Sequence, residues 1–183
     1  MSNPHGVRRA TVADIEPLLE LVPQILAETE VLTLSEPKIR SLVERCCHQR
    51  GGAMAGVIDG DEGAIDASIG MAFADSEVSD EPFIRVVWFG LSPQARKLPD
   101  SIKTDMNHPR RHYGRRLADF AKWAHGSLEA AAGHRVIMRW DVLTLESLWP
   151  KVELCGRNFG QIGAYFALGA SGQFRQQMTE AAP

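Results

Sequence analysis

The stretch His108-Pro109-Arg110-Arg111-His112-Tyr113-Gly114-Arg115-Arg116-Leu117 sets the tightest limit on what this chain can become. It is a basic, glycine-punctuated turn running directly into the amphipathic pattern Leu117-Ala118-Asp119-Phe120-Ala121-Lys122-Trp123-Ala124, so a helix is expected to start there. The first turn of a helix has unpaired backbone N–H groups and carries the positive end of the peptide dipoles. Four arginines around such a start, with Gly114 permitting close backbone approach, suit phosphate and point to a phosphorylated ligand.

The rest of the chain does not share that charge. Its 183 residues carry 20 Lys and Arg against 23 Asp and Glu, a net charge of -3, which argues against a surface that coats nucleic acid or membrane as a whole. An anion is therefore expected to bind locally. The length and a hydrophobic content of 44% suit one domain, residues 1–183, with a core at about 7–168 and a C-terminal tail at 169–183. Three cysteines, two of them adjacent as Cys46-Cys47, match neither a disulfide framework nor zinc spacing, which favours a reducing compartment. The start Met1-Ser2-Asn3-Pro4-His5-Gly6 lacks an apolar leader, and nowhere do 18 apolar residues run together. A soluble, cytoplasmic protein is the expectation.

A short strand is expected over 7–10, followed by a helix with Ile15, Leu18, Leu19, Val22 and Ile25 on one face, which Pro17 and Pro23 should bend or shorten. Ser35-Glu36-Pro37 opens a second helix that Gly51-Gly52 stops. Residues 53–58 and 64–73, separated by Asp59-Gly60-Asp61-Glu62-Gly63, read as an antiparallel hairpin. The strongest strand is Phe83-Ile84-Arg85-Val86-Val87-Trp88-Phe89-Gly90-Leu91, ending at Ser92-Pro93. After the long helix at about 114–132 come a strand at 135–142, a helix near 146–157 and a last strand at 162–168.

This order, β-α-α-β-β-β-α-β-α-β with the glycine turn between fourth strand and third helix, resembles the GNAT superfamily of acetyl-CoA-dependent N-acetyltransferases over residues 7–168. Leu91-Ser92-Pro93-Gln94-Ala95-Arg96 is similar to the family's fourth-strand ending, and His112-Tyr113-Gly114-Arg115-Arg116-Leu117 to its phosphate loop, with about a dozen residues inserted between. Two registers fit the loop. With Gly114 as its last glycine, His112 replaces the first and Pro109 stands where Arg or Gln is usual; with Gly114 as the first, Arg111 fits but Arg116 fills the last small position. The first register phases Gly114-x-x-Leu117 onto the helix. Residues 151–166 are similar to the closing helix and strand of acetyltransferases encoded by bacteriophages.

The resemblance implies an α/β (α+β) fold: a single GNAT-type domain with a mixed, mostly antiparallel central sheet flanked by helices. It implies acetyl-CoA as co-substrate and no metal. The pyrophosphate would sit on the backbone from His112 to Arg115, with Arg110, Arg111 and Tyr113 around it, while the pantetheine arm pairs with Phe89 and Leu91. The family's usual acid, a tyrosine after a leucine, corresponds to Cys155 after Leu154, and the place of a frequent glutamate base falls near Val87. Cys155 is then the candidate catalytic acid, with water relay or an already neutral amine in place of a base.

Three functions follow from these readings. The first transfers acetyl from acetyl-CoA to a primary amine on a small molecule or protein. The second is a non-catalytic binding or assembly component of the same fold, including a phage structural one. The third is a nucleic-acid-modifying member in which Arg110, Arg111, Arg115 and Arg116 meet backbone phosphate; steep salt dependence would mark it. Cys46-Cys47-His48 reads as the inner face and end of a helix, and apolar residues near 159–168 offer a surface for a homodimer.

Overall fold

The strands form one seven-stranded sheet whose spatial order follows the chain: β1 (Arg8–Arg9), β2 (Met54–Asp59), β3 (Ile65–Ala74), β4 (Phe83–Leu91), β5 (Met138–Thr144), β6 (Gly163–Gly169) and β7 (Phe174–Gln177). This computed structural model describes residues 6–27, 34–75, 80, 83–97, 99, 102, 105, 107–134, 136–144, 163–169 and 174–177. The first four strands pair antiparallel, β4–β5 and β5–β6 parallel, and β6–β7 antiparallel. The sheet is thus mixed and mostly antiparallel, as expected. Parallel neighbours need a long crossover. Helix α3 (Tyr113–Ala132) lies in the one from β4 to β5, whereas residues 145–162 between β5 and β6, where the sequence suggests a helix at 146–157, lie outside the described residues.

The segment read from sequence as a tail, 169–183, holds β7. Phe174-Arg175-Gln176-Gln177 has no apolar alternation of its own; its register against β6, Leu168 opposite Phe174 and Tyr165 opposite Gln177, shows that pairing with a neighbour makes it a strand.

Helix α1 (Ile15–Ala27) follows a 3-10 turn at Val12–Asp14, and α2 (Glu36–Cys47) follows Ser35. Pro17 sits in the first turn of α1, where its missing N–H costs nothing, and the helix runs through Pro23 to Ala27 instead of ending there. Gly52, at φ +68°, ends the connection after α2 where a Cβ would fall 1.9 Å from the Phe73 ring, so no other residue fits without movement.

Two cores result, one on each face of the sheet. Leu18, Val22, Val43 and Cys46 of α1 and α2 pack with Val57 and Trp88 on one side; Leu117, Phe120, Ala121 and Ala124 of α3 pack with Ile69, Met71, Ile84 and Val86 on the other. Phe120 is fully buried over Gly56, whose absent side chain makes room for the ring.

Strand β4 does not keep a simple two-residue alternation. Its register to β3 pairs Gly70 with Trp88 but Met71 with Val86, leaving Val87 as an extra residue. This bulge changes the facing of every later side chain. Val86 and Phe89 therefore belong to the α3 side, while Val87 and Trp88 both turn toward α1 and α2. There the indole N–H of Trp88 donates to Ser68 Oγ (3.0 Å), which donates to the Gly56 carbonyl (3.0 Å), a buried chain across three strands.

Candidate functional site

The two central parallel strands separate just past the bulge. β4 pairs with β5 only through Ile84, Arg85 and Val86, opposite Met138, Arg139 and Trp140. Beyond that, β4 continues along β3 to Leu91 while β5 continues along β6 to Thr144, so the backbone edges of residues 87–91 and 141–144 bound a wedge that opens toward the C-terminal ends of both strands. Phe89 and Leu91 are half-buried against the α3 core. On the opposite face, a Cβ on Gly90 would come 2.8 Å from Ile25, which places the end of α1 against this same stretch of β4.

Helix α3 begins at that mouth, and Asp66 at the start of β3 holds it there. The Asp66 carbonyl accepts the Ser92 N–H (2.7 Å), which ties down the residue after β4. Its buried carboxylate accepts the Tyr113 hydroxyl (3.0 Å) at the first residue of α3 and lies 3.8 Å from Arg110 Nε. Burial, followed by the bond to Asp66, pushes the Tyr113 phenol above its usual range, and the charge of Asp66 makes Arg110 still harder to deprotonate. Ser92 Oγ in turn accepts the Ala95 N–H (3.0 Å), starting the helical turn Pro93–Arg96, and Arg96 donates back to the Leu91 carbonyl (2.6 Å). The end of β4 and the start of α3 are thereby fixed to a common point.

Of the residues singled out from sequence, Phe89, Leu91, Arg110, Tyr113 and Gly114 come together at this end of the sheet, and His112 lies exposed immediately before α3. Gly114 stands in the first helical turn, and Leu117 three residues on is fully buried. The described arginines divide rather than converge. Arg110 faces the β2–β3 turn, where it also pairs with Asp61 (3.0 Å). Arg115 is exposed beside Asp119 (4.0 Å), and Arg116 turns back to the Gly6 carbonyl (2.5 Å) with its guanidinium over Tyr113. For Arg111 only the backbone, in the 3-10 turn Pro109–His112, is described, and Cys155 lies outside the described residues.

Asp66 and Ser92 are the positions sequence reasoning passed over. The signal was an acid inside the otherwise apolar and small run Ile65-Asp66-Ala67-Ser68-Ile69. Cys46 and Cys47 are buried on the inner face of α2, burial raises their thiols to about 12 and about 11, and no group able to hold a metal occurs among the described residues. No described helix is long and apolar enough to cross a membrane.

No protein-family model and no curated protein sequence matches the chain. Solved structures do. AAC(6')-Iy in complex with the bisubstrate analogue CoA-S-monomethyl-acetylneamine superposes with a TM-score of 0.54 at 14% identity, over 82% of this chain and 88% of that one. The fold is that of the GNAT acetyltransferases. The aminoglycoside antibiotic 6'-N-acetyltransferase AAC(6')-IG from Acinetobacter haemolyticus matches at 0.51 with 12% identity, over 84% of this chain and 88% of that one. Glucosamine-6-phosphate N-acetyltransferase from Arabidopsis thaliana matches at 0.51 with 14% identity, over 82% and 88%. In this GNAT fold, the parting of β4 from β5 and the start of α3 are adjacent because Asp66 bonds to both neighbouring segments.

Proposed function

We propose that this chain is an acetyl-CoA-dependent N-acetyltransferase that acetylates a primary amine of a small molecule or protein. The observation that carries the reading is the wedge between β4 and β5 opening at the end of the sheet where α3 starts. An acyl-CoA joins an extended amide-bearing arm to a pyrophosphate, and the two features accept those two parts. The edge of residues 87–91 offers backbone groups to the arm in the manner of an added strand. The first turn of α3, with Gly114 in it and Arg110 beside it, receives the pyrophosphate.

In the transfer, the acceptor nitrogen attacks the thioester carbonyl, a backbone N–H near Leu91 stabilises the oxyanion, and the C–S bond breaks. The bulged residue is Val87, which supplies no base, so the amine arrives neutral or loses its proton to water. Cys155, chosen on sequence alone, protonates the departing thiolate, and the proton shed by the acylated nitrogen returns through water to restore the Cys155 thiol. The acceptor class draws support from AAC(6')-Iy and the glucosamine-6-phosphate enzyme, whose names state amine-bearing substrates or analogues. The phage affinity rests only on the sequence of residues 151–166.

Calorimetric titration of the purified protein with acetyl-CoA and with free CoA tests the reading. Both should bind one per chain, and acetyl-CoA should then be consumed when a panel of primary amines is added. Binding of neither ligand overturns it; binding without turnover on any amine favours the non-catalytic component instead.

A further inference from the structure

Arg110 stands between two carboxylates of very different character. Behind it lies Asp66, whose side chain is 9% exposed and also accepts the Tyr113 hydroxyl. In front lies Asp61, whose side chain is 89% exposed and accepts from Arg110 Nη2 at 3.0 Å. The buried partner is fixed by packing, because the β2–β3 connection crosses it so closely that a Cβ on Gly60 would fall 2.5 Å from Asp66 Oδ1. The exposed partner sits on the 3-10 turn Asp61–Gly63 that follows, which passes through left-handed backbone at Glu62 (φ +55°) and Gly63 (φ +81°) and so presents Asp61 outward. An exposed arginine–carboxylate pair contributes little to stability and exchanges readily with another anion of suitable geometry.

We propose that Asp61 is an intramolecular stand-in for the coenzyme's phosphate: it occupies the outward nitrogen of Arg110, which Asp66 positions from behind, and binding exchanges the Asp61 carboxylate for a phosphate oxygen. The β2–β3 turn thereby becomes part of the coenzyme site and lowers its affinity. This inference rests on the acetyl-CoA reading above.

The test is a double-mutant cycle on acetyl-CoA affinity, measured calorimetrically for the wild type, Asp61→Asn, Arg110→Gln and the double variant. Releasing Arg110 from its competitor should tighten binding about two- to five-fold in Asp61→Asn, the range expected of an exposed ion pair. Arg110→Gln should weaken binding about ten-fold through loss of a charge-assisted bond. In the Arg110→Gln background the Asp61 change should then have no effect, since its route to the ligand is gone. A gain that persists in that background means Asp61 repels the ligand directly and overturns the exchange, as does unchanged or weaker binding in Asp61→Asn. Asp61 is solvent-facing and the Arg110 side chain is 28% exposed, and equal melting temperatures across the four proteins will show that the fold is intact. Failure of the wild type to bind acetyl-CoA would bring down the underlying reading and this proposal together; binding by the wild type with an additive cycle would bring down this proposal alone.

Discussion

Asp14 shows how one buried acid can hold a chain entry in place. Its carboxylate accepts both Arg8 terminal nitrogens (2.8 and 2.7 Å) and, from Thr11, the backbone N–H (2.7 Å) and the hydroxyl (2.9 Å), fixing the turn between β1 and α1. The Arg8 guanidinium is the main reason its pKa falls from 3.8 to about 2. A carboxylate whose pKa is lower folded than unfolded stabilises the fold above the unfolded value, and that stability is lost as the pH falls through the folded one. The wild type should therefore lose stability between about pH 4 and pH 2, by about 1–2 kcal/mol given that Arg8 is 43% exposed and solvent screens the pair. Denaturant titrations of the wild type and Asp14→Asn across that window will check it: the variant should be weaker at neutral pH and flatter below pH 4. At the same scale, Cys155→Ala should lower turnover about ten- to a hundred-fold with little change in acetyl-CoA affinity, the pattern of a group acting in the transition state. Full turnover in that variant would pass the proton to water.

Among the elements, α3 joins structure to proposed function through its first turn. That turn carries Gly114 and no acidic residue. An aspartate introduced there suits the positive end of the helix and so leaves the helix as stable as before or more so, while setting a second negative charge against any phosphate bound at the helix start. Gly114→Asp should accordingly abolish acetyl-CoA binding, an effect of at least about a hundred-fold, without lowering the melting temperature. Calorimetry and a thermal scan on one preparation separate the two effects; unchanged affinity would remove the helix start from the site. The far end of α3 is anchored differently. His125 Nε2–H donates to the Val136 carbonyl (2.5 Å) and the Glu129 carboxylate accepts the Val136 N–H (2.9 Å), so the helix grips both polar groups of the residue that leads into β5. The polar side chains spaced four apart thus have a packing role that their sequence spacing alone does not reveal.

For the molecule as a whole, ligand binding and folding should be linked. The proposed site draws on β3, β4 and α3, all of which pack into one core, so a ligand held there stabilises the folded state without touching the unfolded one. At a free acetyl-CoA concentration about a hundred times the dissociation constant the gain is about 2.7 kcal/mol, which for a chain of this size corresponds to a rise of about 5–10 °C in melting temperature. A fluorescence-monitored melt with and without acetyl-CoA measures it, and phosphate-free pantetheine should give a much smaller shift.

Local chemistry decided much of this molecule in advance. The apolar runs at β2 to β5, the stripes of α1 and α2 and the basic turn before α3 follow from side-chain period and backbone permissiveness, which neighbouring residues alone determine, whereas α2 ends at Cys47 with left-handed Gln49 (φ +54°) after it, ahead of Gly51-Gly52. They were enough to suggest the fold and to gather Phe89, Leu91, Arg110, Tyr113 and Gly114 at one end of it. Only tertiary pairing decided the rest. The bulge at Val87 exists because β4 must match β3 on both sides of Gly70, and it turns Trp88 to the face opposite Val86, against the alternation the sequence suggests. β7 is a strand only because β6 offers it an edge. The four arginines read alike along the chain, yet Arg110 meets Asp61 and Asp66, 49 and 44 residues away, while Arg116 meets Gly6. Partners that distant are brought within reach by the packing of α3 across β2, β3 and β4, a long-range arrangement that no local spacing encodes.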